Sequence, residues 1–303
     1  MTKANSGENR AAQGPGSRIG ARRRAVQIAD AATLELTSRP AALIAFGSQL
    51  LHGSVGLNAA ERVYAGRGVR AIRVPTIVLS VMPHYASAHD TPISAGWIAA
   101  ALDDLEAAHA LTGLALATTG YFATADQPAA VATWLRRMPA ADRPPLIVDP
   151  TLGDVELGFY TDPGLVATIR HELLPLATGI VPNLFELAHL SGTPIAQLDS
   201  RRAIEAAARA IMGELTDWVA VTGVRLPPRP GVDSPGQPAD VCELLVRRDS
   251  SSVHRQPALE ITAKGLGDTF TAALIAALLD AHDVDEAIDA AAQEVRRLSH
   301  ETP

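Results

Sequence analysis

A glycine-rich segment near the carboxyl end of the chain carries the residue types best suited to chemistry. Residues 264–269 read KGLGDT and precede a stretch with apolar residues at helical spacing. Gly265 and Gly267 would let the backbone turn tightly, so that free N–H groups at the helix start face a bound anion. This arrangement suits a phosphoryl group in transfer, and the Asp268 carboxylate could accept the proton of an attacking hydroxyl. The alternative is that Asp268 only caps the helix.

A second polar segment contains two acids close together. Residues 149–154 read DPTLGD and directly follow a short apolar run. Asp149 and Asp154, placed at the end of a strand, could hold Mg²⁺ through water molecules. A turn built from Asp, Pro and Gly is the structural alternative, and for this segment taken alone the turn is favoured.

Two further polar segments follow apolar runs. Residues 182–186 read PNLFE, and Asn183 and Glu186 have the spacing of a helix-capping pair, which does not exclude contact with a metal or phosphate. Thr222 and Gly223 are placed to contact a nucleotide phosphate or ribose. The chain contains neither GxxxxGKS/T nor the HRD and DFG motifs, which excludes a Walker-type phosphate loop and the protein-kinase pattern.

Short β-type runs alternate with longer helical stretches from about residue 41 onwards. Strands separated by helices pair in parallel through right-handed crossovers, and near-continuous apolar runs indicate strands buried on both faces. We therefore predict an α/β fold, an open, mostly parallel sheet with helices on both faces in three layers. Ligands bind beyond the carboxyl ends of such strands, where the four polar segments fall. The predicted strands are 41–46, 71–80, 114–118, 146–149, 179–181 and 218–222, and the predicted helices are 55–65, 95–110, 127–137, 164–174, 184–190 and 201–214.

The last third of the chain departs from this alternation. Residues 226–240 contain five prolines and two glycines and predict a mobile loop. A hairpin-like pair of strands is predicted at 242–248 and 253–261, followed by two helices.

Composition narrows the classes of protein. The chain has 303 residues, 47% of them hydrophobic and 19% charged, which is an ordinary globular balance for one large domain or two small ones. No uncharged apolar run approaches the ~18–20 residues of a membrane helix, so we expect no membrane association. The one cysteine, Cys242, excludes an intrachain disulfide, and a reducing cytoplasm is the expected location.

The net charge of −7 divides unevenly between +5 in residues 1–24 and −12 in the remainder. An acidic body argues against a nucleic-acid surface, which needs clustered cations. The basic leader could contact RNA or anionic lipid, but it lacks aromatics, apolar periodicity and the apolar middle of a signal peptide. We predict a disordered basic leader at 1–38 and a single domain at 39–303.

Taken in order, DPxxGD, PNxxE, VTG and GxGD resemble the motifs of the ribokinase superfamily. Further segments resemble the vitamin B6 kinases within that superfamily. They are GSQLLHGSVG at 47–56, VPTIVLS at 74–80 leading to PHY at 83–85, TTGY at 118–121 and LLPL at 173–176. The resemblance covers about residues 41–299 and leaves out the basic leader.

The resemblance implies a ribokinase-like fold and ATP-dependent phosphorylation of the 5′-hydroxymethyl group of pyridoxal, pyridoxine or pyridoxamine. Asp268 would bind the substrate and act as the base. The backbone amides of Gly265, Leu266 and Gly267 would stabilise the transferring phosphoryl group. Ser48 and His84 would hold the pyridine ring and its substituents.

The resemblance also implies the nucleotide and metal contacts. Glu186 and Tyr160 would lie at Mg²⁺, and K⁺ or Na⁺ is an additional candidate. The residues that would bind ATP are Asp149, Val181, Glu186, Thr222 and Leu266. The expected partners are the B6 vitamers, ATP and a second copy of the chain in a homodimer, without nucleic acid or membrane.

Three positions depart from the pattern of the B6 kinases. Leu266 stands between the glycines of GxGD where a small or hydroxyl residue is usual, Val181 replaces a common Thr, and Leu57 interrupts a VGN sequence before Asn58. Loss of two hydroxyls near the nucleotide could weaken ATP binding by ~1 kcal/mol each. Activity is still expected, because the backbone amides and Asp268 remain.

Other functions remain open at this stage. Hydroxymethylpyrimidine kinase of the thiamin route has the same fold and chemistry, and sugar kinases of the superfamily are less favoured because their N-terminal glycine-rich signature is absent. The three departures would also fit a catalytically impaired B6-binding protein. Finally, the Pro-rich segment 226–240 is a candidate lid over the nucleotide.

Overall fold

One large sheet carries the ends at which the polar segments lie. The computed structural model describes residues 40–225, 241–256 and 264–300, with side chains to residue 298. The predicted basic leader and the Pro-rich segment 226–240 lie outside these residues. The strands are β1 (Leu43–Leu50), β2 (Ala71–Leu79), β3 (Asp90–Pro92), β4 (Leu116–Thr119), β5 (Leu146–Val148), β6 (Gly153–Asp154), β7 (Gly158–Phe159), β8 (Ala177–Ile180), β9 (Trp218–Arg225), β10 (Val241–Val246) and β11 (Ser251–Gln256).

The sheet is parallel at its centre and antiparallel at both margins. Its strand order among the described residues is β11-β10-β9-β8-β5-β4-β1-β2-β3, and β6 and β7 form a separate hairpin. The pairs from β9 through β8, β5, β4 and β1 to β2 are all parallel, whereas β3, β10 and β11 pair antiparallel with their neighbours. The carboxyl ends of the parallel strands therefore share one edge of the sheet, as predicted.

Helices cover both faces and complete the three-layer arrangement. They are α1 (Gly56–Gly66), α2 (Ala95–Ala107), α3 (Asp126–Arg137), α4 (Leu165–Thr168), α5 (Leu184–Ser191), α6 (Arg201–Ala210), α7 (Leu266–Leu279) and α8 (Val284–His300). One apolar cluster joins the sheet to α1, α7 and α8, and a second joins its other face to the helices between β3 and β9. Leu274 and Ile275 of α7 are fully buried in the first cluster, as are Ile98 and Leu102 of α2 in the second.

Element boundaries differ from the prediction mainly at the ends. β1 continues to Leu50 rather than stopping at residue 46, so Ser48 lies inside a strand instead of after it. The helix predicted at 164–174 is broken, because α4 continues as a π-helical turn at Ile169–Leu173 and a 3₁₀ turn at Leu174–Leu176. β11 begins at Ser251, and the part of the predicted strand beyond Gln256 lies outside the described residues.

Two glycines permit the close packing that forms the site. Gly56 opens α1 with φ +57°, and a Cβ there would overlap Ser48 on β1. Gly265 precedes α7 with φ +89°, and a Cβ there would overlap the carbonyl oxygen of Ser54. Both backbones occupy the left-handed region that favours glycine. The starts of α1 and α7 can therefore lie side by side against the end of β1.

Candidate active site

Three carboxylates meet in one cavity beyond the carboxyl ends of β5 and β8. The cavity has a volume of about 410 Å³ and includes Asp149, Glu186 and Asp268 in its walls. Asp149 directly follows β5, Glu186 lies in the first turn of α5, and Asp268 lies in the first turn of α7. Three acids that are remote in sequence thus converge where the motif order predicted a site.

Asp268 is held by the start of α1. Its Oδ2 accepts a hydrogen bond of 2.8 Å from the backbone N–H of Gly56, 212 residues away in the chain. Burial raises the pKa of Asp268, and the N–H of Gly56 lowers it. Gly265 provides no side-chain cap for α7, and the residues at the start of this helix line the cavity. A carboxylate with a raised pKa at a helix start can accept a proton next to an anionic group.

Asp149 is fixed by threonines on two sides. Its Oδ1 accepts hydrogen bonds from the backbone N–H and the Oγ1 of Thr151, at 3.1 and 2.8 Å. Its Oδ2 accepts a hydrogen bond of 2.7 Å from Oγ1 of Thr271. Burial and the charge of Asp268 raise the pKa of Asp149 to about 6, although these hydrogen bonds lower it. Asp149 therefore has a defined orientation, and a bound cation would stabilise its charged form.

Glu186 caps its own helix and is almost fully buried. Its Oε1 accepts from the N–H of Leu152 at 2.8 Å and its Oε2 from the N–H of Asn183 at 2.9 Å. The side chain of Asn183 in turn accepts from the N–H of Glu186, which completes a capping box. Burial and then the charge of Asp149 raise the pKa of Glu186 to about 8. The predicted capping role and a place in the cavity wall are thus both present.

The other residues predicted at the nucleotide line the same cavity. Thr222 on β9 forms an isolated parallel bridge with Asn183 at the start of α5, and Val181 and Leu266 also line the cavity. Tyr160 is 43% exposed, and burial of its hydroxyl followed by the charge of Glu186 raises its pKa. Nζ of Lys264 lies 3.5 Å from Oδ2 of Asp154, and both residues line the cavity, so its wall includes a cation as well as acids.

The acids offer a site for a divalent cation without forming a preformed cage. The described residues contain no group of three or more His, Cys, Asp or Glu side chains arranged to hold a metal ion. Mg²⁺ in such enzymes keeps several waters and takes few protein ligands in addition to substrate phosphates. Asp149 and Glu186, with pKa values raised by burial, are oxygen donors whose charge a bound Mg²⁺ would balance. The residues present therefore fit the predicted magnesium.

The predicted vitamin side of the site is more open. Ser48 is buried near the end of β1, against the start of α1. His84 and Tyr85 follow β2 in an exposed segment, with their rings stacked at 4.6 Å. Neither Ser48 nor His84 is among the described residues that line the 410 Å³ cavity. The structure thus brings Ser48 to the start of α1 and leaves His84 outside the cavity walls.

Asn58, the residue after the interrupting Leu57, ties the start of α1 to the end of β1. Its side chain accepts from the N–H of Leu50 at 3.0 Å and donates to the carbonyl of Leu50 at 2.9 Å. It also accepts from Nε2 of Gln49 at 2.7 Å. Leu57 itself is buried in the α1 face of the core. The departure at Leu57 therefore leaves α1 packed and ties Asn58 to the end of β1.

Sequence reasoning missed three residues at the site. Thr271, which orients Asp149, lies three residues after Asp268, a helical spacing that would have placed both on one face. Tyr64 on α1 is fully buried, and burial and the charge of Asp149 raise its pKa. Glu243 lines the cavity from the middle of β10, and an acid within the apolar run VCELLV was the available signal.

The chain is similar to enzymes that phosphorylate vitamins. The family model described as phosphomethylpyrimidine kinase matches residues 52–302. A pyridoxine/pyridoxal/pyridoxamine kinase of Bordetella bronchiseptica is 37% identical over 262 residues, 86% of this chain and 89% of its own. A hydroxymethylpyrimidine/phosphomethylpyrimidine kinase of Mycobacterium tuberculosis is 30% identical over 243 residues, 78% of this chain and 80% of its own.

A solved structure supports the fold. The pyridoxal kinase of Leishmania donovani in complex with ADP superposes with a TM-score of 0.74 at 23% identity, covering 86% of each chain. This likeness confirms the predicted fold class. Among the described residues, no helix is both long enough and apolar enough to span a membrane.

Proposed function

The chain belongs to the vitamin-kinase family whose members include the pyridoxine/pyridoxal/pyridoxamine kinases, and from this premise we propose that it transfers the γ-phosphoryl group of ATP to the 5′-hydroxymethyl group of a B6 vitamer. The products are the vitamer 5′-phosphate and ADP. The observation that carries the proposal is the position of Asp268. It lies at the uncapped start of α7, bonded to Gly56, in one cavity with Asp149 and Glu186.

Asp268 accepts the proton of the vitamer hydroxyl while the hydroxyl oxygen attacks the γ-phosphorus. The bond from the γ-phosphorus to the bridging oxygen breaks, and ADP leaves with that electron pair. The amides of Gly265, Leu266 and Gly267 stabilise the charge on the transferring group, because these residues form a helix start that lines the cavity. The raised pKa of Asp268 makes it a stronger base than an exposed Asp.

We assign Asp149 and Glu186 to the organisation of Mg²⁺ and ATP, with Tyr160 beside the metal. The Mg²⁺ would neutralise charge on the phosphates during transfer. Thr222, Val181 and Leu266 contact the nucleotide. The ADP complex of the Leishmania donovani relative supports a nucleotide substrate. Ser48 and His84 hold the vitamer ring, with His84 supplied by the exposed segment after β2.

The family resemblance also supports proposals for assembly and location. We propose a homodimer, and a cytoplasmic location where ATP and Mg²⁺ are available. The acidic body of the chain supports small-molecule substrates rather than a nucleic acid.

Hydroxymethylpyrimidine phosphorylation is the second candidate. The matching family model and the 30% identical Mycobacterium tuberculosis relative favour it specifically. The higher identity of 37% to the Bordetella bronchiseptica kinase favours the B6 vitamers.

The deciding experiment measures ADP release with Mg·ATP and each of pyridoxal, pyridoxine, pyridoxamine and hydroxymethylpyrimidine. We expect turnover of at least one B6 vitamer at a kcat/KM above that of the pyrimidine. Turnover of the pyrimidine alone would move the protein to the thiamin route. Binding of pyridoxal without ADP release would mean that the protein is a binder rather than a kinase.

A further inference from the structure

One buried polar side chain outside the residues discussed so far uses all of its hydrogen-bonding groups. Gln127 lies in the first turn of α3 and is fully buried. Its Nε2 donates to the backbone carbonyls of Thr76 at 2.7 Å and Ile93 at 2.6 Å. Its Oε1 accepts from the backbone N–H groups of Ala123 at 2.8 Å and Thr124 at 3.3 Å. A single side chain thus joins β2, the segment before α2 and the loop after β4.

The carbonyl of Thr76 can bind Gln127 because the sheet is irregular at this residue. The register between β1 and β2 shifts by one residue between Gly47 and Ser48, and the residue skipped on β2 is Thr76. An extra residue in one strand takes its backbone groups out of the ladder. The Thr76 carbonyl instead accepts from Gln127 and from the N–H of Ile93 at 2.9 Å. Gln127 therefore holds the residue at which the pairing of β2 with Ser48 is set.

The side chain of Thr76 extends these contacts to the loop after β4. Its Oγ1 donates a hydrogen bond of 2.6 Å to the backbone carbonyl of Tyr121. Gly120 and Tyr121 line a second cavity, of about 30 Å³, together with Asp149 and Asp268. The loop that Gln127 and Thr76 hold thus shares a cavity with the proposed base.

This loop lies on the side of the sheet away from the proposed nucleotide contacts. β8 and β9, which carry the chain to Val181 and Thr222, lie on one side of β5, and β4 and β1 lie on the other. Asp149 at the end of β5 lies between the two sides. Because the attacking and leaving oxygens are roughly in line at the phosphorus, the acceptor approaches from the side opposite the nucleotide. The β4 and β1 side is therefore the acceptor side.

We propose that Gln127 and Thr76 are positioning residues for the acceptor substrate. By joining the loop after β4 to β2 opposite Ser48, they set the place of the acceptor hydroxyl relative to Asp268. A buried polar network with every group satisfied favours one arrangement of the segments that it joins. Reactivity is sensitive to shifts of about 1 Å in such an arrangement. The inference rests on the proposed function, because it assigns this side of the site to the acceptor.

The test removes one hydrogen bond of the network and keeps the packing. Thr76→Val deletes the hydroxyl that binds the Tyr121 carbonyl, whereas Thr76→Ser keeps a hydroxyl. Initial rates with ATP and pyridoxal varied in turn give both KM values, and titration calorimetry gives Kd for pyridoxal. We expect Thr76→Val to raise KM and Kd for pyridoxal about five- to tenfold, the range for one neutral hydrogen bond, with KM for ATP unchanged. Thr76→Ser should restore values close to those of wild type.

Gln127→Glu tests the other member of the network. It keeps an acceptor oxygen for Ala123 and Thr124 but lacks the amide that donates to two carbonyls. It should raise KM for pyridoxal at least as much as Thr76→Val, again without a change in KM for ATP. A thermal melt checks that it folds, and if it does not, the two Thr76 variants decide.

Thr133→Val is the matched control, because it removes a hydroxyl that donates to the backbone carbonyl of Ala129 on the exposed face of the same helix. It should leave both KM values unchanged. Wild-type values for pyridoxal in Thr76→Val, an equal loss in Thr76→Ser, or an equal rise in KM for ATP would each overturn the inference and retain the proposed function. Turnover of hydroxymethylpyrimidine alone would reject the proposed function, and the same variants assayed with the pyrimidine would then decide the inference.

Discussion

Two halves of the proposed active site differ in how firmly the fold holds them. In the phosphoryl-transfer half, formed by Asp149, Glu186 and Asp268, each carboxylate accepts at least one hydrogen bond of 2.7–3.1 Å from the protein. In the vitamer half, formed by Ser48 and His84, Ser48 is fixed in β1 but His84 lies in an exposed segment and stacks on a neighbouring ring.

This difference in how firmly the two halves are held assigns phosphoryl transfer to one half and the choice of the acceptor hydroxyl to the other. Carboxylates and amides held rigidly before the substrate arrives need no reorganisation during phosphoryl transfer. An exposed segment that orders around its ligand spends binding energy on that ordering, so its changes act mainly on KM. The phosphoryl-transfer half should therefore control kcat, and the vitamer half should control which hydroxyl is phosphorylated.

The largest effect is expected for Asp268→Asn. The amide can still accept the hydrogen bond from Gly56, so the fold is kept while the base is lost. Loss of a general base reduces kcat by about a thousandfold. Steady-state ADP release with pyridoxal measures it. Asp280→Asn at the exposed end of α7 is the control and should retain activity. A kcat for Asp268→Asn within about threefold of wild type would exclude Asp268 as the base.

Glu186→Gln should reduce kcat/KM for Mg·ATP by about thirtyfold. A neutral amide keeps the helix cap partly intact but removes a charge that a cation would balance, and interactions of charged groups contribute ~1.5–3 kcal/mol. Titrating Mg²⁺ at fixed ATP measures the effect. Glu156→Gln on the exposed neighbouring hairpin should behave as wild type. Equal loss in both variants would show that Glu186 has no particular role.

His84→Ala should raise KM for pyridoxal by about tenfold and leave KM for ATP unchanged, because a hydrogen bond to the ring contributes ~1 kcal/mol or more. Initial rates with each substrate varied in turn give both constants. His89→Ala, in the same exposed segment, is the matched control. A fall in kcat at saturating pyridoxal, with KM unchanged, would place His84 in the phosphoryl-transfer half and contradict the division of the site into two halves.

Leu266→Ser should lower KM for ATP by about fivefold. The substitution introduces a hydroxyl, one of the residue types that the family resemblance leads us to expect between the two glycines, and one hydrogen bond contributes ~1 kcal/mol. The measurement is KM for ATP at saturating pyridoxal. Leu266→Ala lacks the hydroxyl and controls for the smaller side chain. If both variants lowered KM equally, the loss of bulk and not the hydroxyl would be responsible.

The smallest expected effect concerns stability. Asp149 and Glu186 have pKa values raised to about 6 and about 8, so the native state holds more protons than the unfolded chain between about pH 4 and pH 8. The free energy of unfolding therefore falls as pH rises through this window. Thermal melts of the nucleotide-free protein should show Tm decreasing, and Asp149→Asn should flatten the slope. If the Tm of the wild-type protein rose between pH 5 and pH 8 while that of Asp149→Asn did not, the raised pKa values would be contradicted.

The sequence was sufficient to predict the parallel core and to place Asp149, Glu186 and Asp268 at its carboxyl edge. The apolar runs that became β5 and β8 are short and buried, and the polar residues that follow them can only lie at the shared edge of the sheet. The order of the motifs carries the family resemblance that assigns roles to these three acids, and those roles stay predictions. Periodicity and spacing report the strands and helices directly.

Features that depend on contacts between distant segments were not predictable in this way. β1 runs past residue 46 because its second half pairs with β2, and β3 is a three-residue strand that exists by pairing with β2. The π-helical turn after α4 has no local sequence signal. Glu243 was missed because the sequence does not show that a cavity lies beside this position of the apolar strand.

The hydrogen bond between Gly56 and Asp268 has a consequence for the synthesis of the chain. A ribosome releases α1 more than 200 residues before it releases the start of α7, and until then Leu57, Val63 and Tyr64 have no α7 to cover them. Apolar surface exposed in this way during translation is a binding site for chaperones and a starting point for aggregation. A chain truncated before residue 264 would also lack the proposed base, Asp268, so we expect incomplete copies to transfer no phosphoryl group.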